Sequence, residues 1–124
     1  MNTPIIIRFD RLSVEGYLSP TACGGALVKA LPFGSTAQTW GDEIYFEVPL
    51  AHGLDDTAVE TVSMGDLGYW PTGRALCVFF GPTPVSGPGE IRPASAVNIV
   101  GKVAGVLEEL KKIKAGTPVR VEPA

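Results

Sequence analysis

The 124-residue sequence predicts a mainly β domain: about eight short strands closing into a barrel, with two α-helices over its ends. Three observations carry this expectation. Fifteen Gly and 11 Pro are spread along the chain without a period, the punctuation of many short strands joined by tight turns. Several segments alternate apolar and polar residues, as strands with one buried face do. Ala75 to Phe80 is apolar on both faces, which suits a strand deep in a core. Closure removes the edges that so many short strands would otherwise expose. The length fits a single domain, residues 1–124, large enough to bury a core without staples.

The elements follow in order. Ile5, Ile7 and Phe9 alternate with Arg8 and Asp10, giving a first strand. Ser13 to Leu18 forms the second, after a short turn near Arg11 and Leu12. Ser19-Pro20 is a helix start, Ser19 capping free N–H groups and Pro20 lacking the one it would waste. Cys23, Ala26, Leu27, Ala30 and Leu31 share a helix face, and Pro32 and Gly34 end the helix. Thr36 to Trp40 and Glu43 to Val48 are strands joined by Gly41-Asp42, a two-residue II′ turn. On the second of them Ile44, Phe46 and Val48 share one face, with Glu43, Tyr45 and Glu47 opposite.

Leu50 to Glu60 is a polar loop, and Val62 to Trp70 a strand that carries two glycines. Pro71-Thr72-Gly73 turns into the apolar strand from Ala75. Gly81 to Pro93 holds prolines 82, 84, 88 and 93, an irregular and stiff loop. Val97 to Val103 is the next strand. Val106, Leu107, Leu110 and Ile113 then line a second α-helix, with Glu108 and Lys112 paired at i,i+4. Gly116 stops it, and Val119 to Glu122 closes the sheet.

Charge and composition remove whole classes of function. Hydrophobic residues at 45% and charged residues at 19% exclude a disordered chain. The net charge of −3, with basic residues clustered only at Lys111, Lys112 and Lys114, argues against nucleic-acid binding. Met1 to Arg8 lacks the features of a signal peptide, and the longest apolar run is far too short for a membrane span. Cys23 and Cys77 sit among apolar neighbours and read as buried thiols in a reducing compartment, so a cytoplasmic protein is expected.

Candidate chemistries are sparse. His52, the single histidine, with Asp55 and Asp56 reads as a solvated polar loop, because metal-ligand spacing is absent. There is no C-x-x-C, nucleophile elbow or P-loop, and Gly87-Pro88-Gly89 is a turn with no Lys and no helix after it. No metal and no cofactor is expected. Trp40 and Tyr69-Trp70 lie beside turns, where aromatic side chains can line an open pocket.

Specific motifs then carry a resemblance. Ser63-Met64, Gly73 leading into Val78-Phe79-Phe80, and Gly101-Lys102-Val103 before a helix resemble the back half of a cyclophilin. The closer resemblance is to a small prokaryotic family of cyclophilin-like proteins of unassigned function. Its hallmarks stand here as Thr39-Trp-Gly-Asp-Glu-Ile-Tyr-Phe46, Gly65-Asp-Leu-Gly-Tyr-Trp-Pro71, Phe79-Phe-Gly-Pro-Thr-Pro84 and Pro93-Ala-Ser-Ala-Val-Asn98. The resemblance covers nearly the whole chain and implies the eight-stranded cyclophilin-type barrel capped by two helices.

Cyclophilins isomerise Xaa-Pro bonds by holding the twisted prolyl amide with an Arg beside an apolar pocket, lowering a barrier of about 20 kcal/mol. The resemblance carries the pocket Phe to Phe80, with a wall from Phe46 or Met64. It does not carry the Arg, because the strand in question here reads Thr36-Ala-Gln-Thr-Trp40, nor the pocket Trp and His, which Gly81 to Val100 lacks. Three readings result. The first is a module binding a peptide or small molecule near Gln38, Trp40, Phe46, Met64, Tyr69, Trp70 and Phe80. The second is a weak, atypical prolyl isomerase with Gln38 or Arg74 as donor. The third is a homo-oligomer whose exposed aromatics form the interface.

Overall fold

The computed structural model describes residues 1–124 as one antiparallel, nearly closed barrel. Its strands are β1 (Thr3–Phe9), β2 (Leu12–Leu18), β3 (Phe33–Thr36), β4 (Gln38–Thr39), β5 (Glu43–Glu47), β6 (Ala58–Val59), β7 (Asp66–Trp70), β8 (Ala75–Phe79), β9 (Val97–Ala104) and β10 (Pro118–Pro123). The sheet runs β3-β10-β1-β2-β9-β7-β8-β5-β4, with β6 on the side of β9. Its two ends, β3 and β4, are consecutive in the chain and separated only by the buried Ala37. Ala37 donates its N–H to the Thr117 carbonyl and accepts from Gly116, both at 2.8 Å. One stretch of backbone, residues 33–39, therefore pairs with β10 at one end and with β5 at the other, which draws the barrel shut.

Strand parity sets the inside. Ile5, Ile7 and Phe9 from β1, Ile44, Phe46 and Val48 from β5 and its continuation, and Leu76, Val78 and Phe80 from β8 and its continuation all join one core. Phe9 meets Phe46 edge-on inside it, with ring centroids 6.3 Å apart. The hairpin at Gly41-Asp42 forms as expected: Trp40 donates to Glu43, and only Gly41 of the two turn residues has positive φ, as a II′ turn needs. Gly41 is required for a second reason, since a Cβ there would lie 2.9 Å from Pro84 Cδ.

The expected strand count rises to ten because Phe33–Thr36, where the sequence predicts only the end of the helix, and Ala58–Val59, inside the predicted polar loop, are strands, while the predicted strand Thr36 to Trp40 shrinks to Gln38–Thr39. The helix α1 (Ala22–Ala30) begins later than predicted, capped by Thr21 accepting from the Gly24 N–H, while Ser19 donates its own N–H to Val100 and stays with the sheet. The second helix is corrected to a 3-10 helix, Leu107–Lys112. With three residues per turn, Leu107, Leu110 and Ile113 still stack towards the core, but Val106 falls off that face and is exposed. The ion pairs shift accordingly from i,i+4 to i,i+3, Glu108 with Lys111 and Glu109 with Lys112. No helix is long and apolar enough to cross a membrane.

A second, smaller apolar layer lies on the outer face of β8 and β9, where Cys77, Phe79 and Val97 are buried. The loop from Gly81 to Ala96 covers it. Phe80 and Pro82 bond to the backbone of Asp42, and Ser86 Oγ accepts from the Thr83 and Arg92 amides. Arg92 also pairs with Glu90 at 2.8 Å, so the loop is tied both to itself and to the hairpin. Cys23 and Cys77 are free buried thiols in separate layers, one in the barrel core and the other in this outer layer.

Candidate functional site

The outer face of β5 presents Glu43, Tyr45 and Glu47, the parity opposite to the core residues. Tyr45 reaches Trp70, the last residue of β7, edge-on: ring centroids lie 6.2 Å apart and the planes are at 78°. Trp70 is fixed from other sides too. Its Nε1 donates to Ser95 Oγ at 2.7 Å, and its ring lies so close over Gly73 that a Cβ there would sit 2.6 Å from Cζ3.

Two cavities meet at this aromatic pair. The larger, about 960 Å³, runs over β3 and β5 and is lined by Gln38, Glu47, Leu50 and Arg74 as well as Tyr45 and Trp70. Arg74 has φ of 48°, in the left-handed region, where it ends the 3-10 turn Pro71–Gly73. The smaller cavity, about 270 Å³, is walled by Trp40, Tyr45 and Trp70, floored by Cys77 and Val97, and roofed by Pro93 and Ala94 of the covering loop.

Glu43 also lines the smaller cavity, and it is the one charged residue there. Although it faces outward, it is only 5% exposed, and its Oε1 is buried without a hydrogen bond. Burial pushes its carboxyl up to about 7, against a smaller opposing effect of the neighbouring Cys77 thiol. Cys77 is itself pushed well above the ordinary thiol range, first by burial and then by the Glu43 charge. A buried thiol in that state is a poor nucleophile.

The predicted site residues separate into three groups. Gln38 and Trp70 line the larger cavity, and Trp40 and Trp70 the smaller. Phe46, Tyr69 and Phe80 lie in the barrel core and line neither, and Met64 sits 51% exposed in a turn away from both. Tyr45 and Glu43 were missed as site residues. Their outward parity was legible, but the pairing of β5 with β8 and the loop above them are long-range features.

Tyr69 has a structural task instead. Its hydroxyl donates to the Leu50 carbonyl at 2.7 Å and accepts from the His52 amide at 3.2 Å. The fully buried Asn98 holds the same loop, donating to the Gly53 carbonyl and accepting from the Asp55 amide. Asp55 in turn accepts from the amide and hydroxyl of Thr57. Asp55, near His52, thus helps fold its own loop.

No curated protein sequence matches the chain. Among solved structures, a hypothetical protein from Archaeoglobus fulgidus, known from its solution structure, is 41% identical. The two superpose with a TM-score of 0.82 over 99% of this chain and 95% of that one. McbB, solved in complex with tryptophan, shares the fold at 17% identity and a TM-score of 0.72, with 96% of this chain matching 44% of that one. The family model for cyclophilin-like proteins matches residues 3–122, so the chain belongs to the cyclophilin-like family.

Proposed function

We propose that the protein is a binding module that takes a peptide or small molecule along the outer face of β5, β7 and β8. The observation that carries this reading is the Tyr45–Trp70 pair, which walls two cavities at once. A ligand laid across it meets a cleft of mixed polar and apolar lining on one side and an aromatic-walled hollow on the other. Ligand sites are typically concave and largely apolar with a few placed polar groups, and the smaller cavity has that composition. The test is to titrate the protein with short peptides and fragment-sized small molecules while following the Trp40 and Trp70 indole N–H resonances. Saturable movement of both indoles, with the Trp40 shift lost in a folded Trp70→Ala variant, is the expected result. Ligands that move resonances elsewhere and leave both indoles still would overturn the reading.

One observation favours weak Xaa-Pro isomerisation as a second reading: Gln38 and Arg74, the donors expected from the sequence for a twisted prolyl amide, line the same cleft. Exchange spectroscopy on Xaa-Pro peptides tests it, against an uncatalysed exchange of tens of seconds. Acceleration that disappears in Gln38→Ala or Arg74→Ala supports catalysis, and unaccelerated exchange rules it out.

A further inference from the structure

Glu43 opens β5 at the foot of the smaller cavity, and its burial there is unusual for a carboxyl. Buried carboxylates are normally met by a cation or by several donors, because leaving one bare in an apolar site is costly. Here no cation is supplied, and the one neighbouring donor is the weak Cys77 thiol. Oε1 has no hydrogen bond, and no Lys, Arg or His lines the cavity. The hairpin turn, β8 and the loop segment from Pro93 to Val97 pack around it, and among the cavity's lining residues the other titratable side chains are Cys77 and Tyr45.

The walls select the same kind of charge. Trp40, Tyr45 and Trp70 are the three aromatic residues of the cavity, and aromatic faces attract cations, most strongly where water is excluded. An anion would meet both the carboxylate and the electron-rich ring faces. A neutral apolar guest would leave the carboxyl with the weak Cys77 thiol alone. The volume of about 270 Å³ is at the low end for small-molecule sites, which suits a small amine or the end of one side chain.

We propose that the smaller cavity is a binding site for an organic ammonium group, with the Glu43 carboxylate as its counter-charge and Trp40, Tyr45 and Trp70 as its aromatic walls. This rests on the reading of the outer face as a ligand groove. The ammonium can belong to a free amine or to a lysine side chain of a peptide lying in the adjoining cleft.

The experiment titrates the full-length protein with four probes, following the two indole resonances and the Tyr45 ring: benzylammonium, its neutral counterpart benzyl alcohol, a short lysine peptide, and the same peptide with norleucine. Benzylammonium is expected to bind at least about tenfold more tightly than benzyl alcohol, the effect of one charge-assisted contact. Glu43→Gln, which keeps the shape, should remove that preference and leave benzyl alcohol unchanged. Near-ultraviolet circular dichroism confirms that the variant is folded, and Glu43→Asp, which keeps the charge, should retain part of the preference.

Binding of the lysine peptide over the norleucine peptide, without benzylammonium binding, assigns the ammonium to a peptide side chain; binding of benzylammonium assigns the site to free amines as well. Equal binding of charged and neutral probes, unaffected by Glu43→Gln, overturns the ammonium site while leaving the groove. Peptides that perturb Gln38 and Arg74 but never the Trp40 indole overturn it in the same way. No perturbation of either cavity by any probe overturns the ammonium site and the groove reading together.

Discussion

The ring of Tyr45 stands edge-on to the ring of Trp70 at 6.2 Å, and the two residues together form the boundary between the larger cleft and the aromatic cavity. Tyr45 comes from β5 and Trp70 from the end of β7, with β8 hydrogen-bonded between them. The pair is therefore held by three strands, and its geometry is a property of the barrel wall.

Gly73→Ala tests that arrangement without touching either aromatic ring. The new methyl would lie 2.6 Å from Trp70 Cζ3, closer than atoms can approach, so the indole must tilt. Tilting strains the 2.7 Å bond from Nε1 to Ser95 Oγ, a contact worth about 1 kcal/mol. The expected outcome is a shifted Trp70 indole resonance and altered binding in both cavities, with the barrel intact by amide fingerprint. An unmoved indole would mean that the ring is placed by Tyr45 and Ser95 alone.

Glu43 gives stability a definite pH dependence. Its carboxyl titrates at about 7 in the fold, against an ordinary value of 4.5, so the folded state holds the proton that the unfolded chain releases. Between pH 4.5 and 7 the fold binds more protons, and stability falls as pH rises through that window and levels off above it. A gap of this size is worth up to about 3 kcal/mol. Cys77 beside it stays a thiol throughout, its titration pushed well above the ordinary range by burial. Urea unfolding at pH 5 and pH 8 should show the loss in the wild type and a much smaller one in Glu43→Gln. An equal pH response in both proteins would assign the effect elsewhere.

Phe46, Phe80 and Met64 separate the pocket implied by the cyclophilin resemblance from the cavities present. Phe46→Ala and Phe80→Ala empty the barrel core and should each cost about 3–5 kcal/mol. Any folded fraction should bind outer-face ligands as the wild type does, since neither residue lines a cavity. Met64→Ala, at an exposed turn, should change stability by less than about 0.5 kcal/mol and leave binding unaltered. Loss of binding in folded Phe80→Ala would return that residue to the site.

The reasons some features were legible in the sequence and others were not are physical. Alternation in β1 and β5, the Gly41-Asp42 turn and the doubly buried β8 are local signals, and each appears where it was expected. Parity had already grouped Phe46 with Ile44 and Val48, which is the core face it occupies, and only the carry-over from cyclophilins placed it in a pocket. The spacing of Leu107, Leu110 and Ile113 fits three residues per turn as well as 3.6, so the 3-10 form was not distinguishable from α there. Glu43 was out of reach altogether. Its burial depends on a loop some fifty residues later folding across β5, and no short-range pattern records that.

Asn98→Ala should free the loop from Leu50 to Thr57. Asn98 is wholly buried and satisfies the Gly53 carbonyl and the Asp55 amide at 2.9 and 2.8 Å. Truncation leaves two backbone groups without partners, costing about 1–3 kcal/mol for each that stays buried, less if water enters. Tyr69→Phe removes only the hydroxyl that ties Leu50 and His52, and should cost about 1 kcal/mol. Hydrogen exchange distinguishes loop release from global weakening: the Asp55 and Thr57 amides should speed up in Asn98→Ala more than those of β1 and β8. Uniform acceleration across the barrel would show that Asn98 supports the whole fold and not this loop. Because Leu50 also lines the larger cavity, loop release should weaken ligands held beside Gln38 and Arg74 and spare those bound between Trp40 and Trp70.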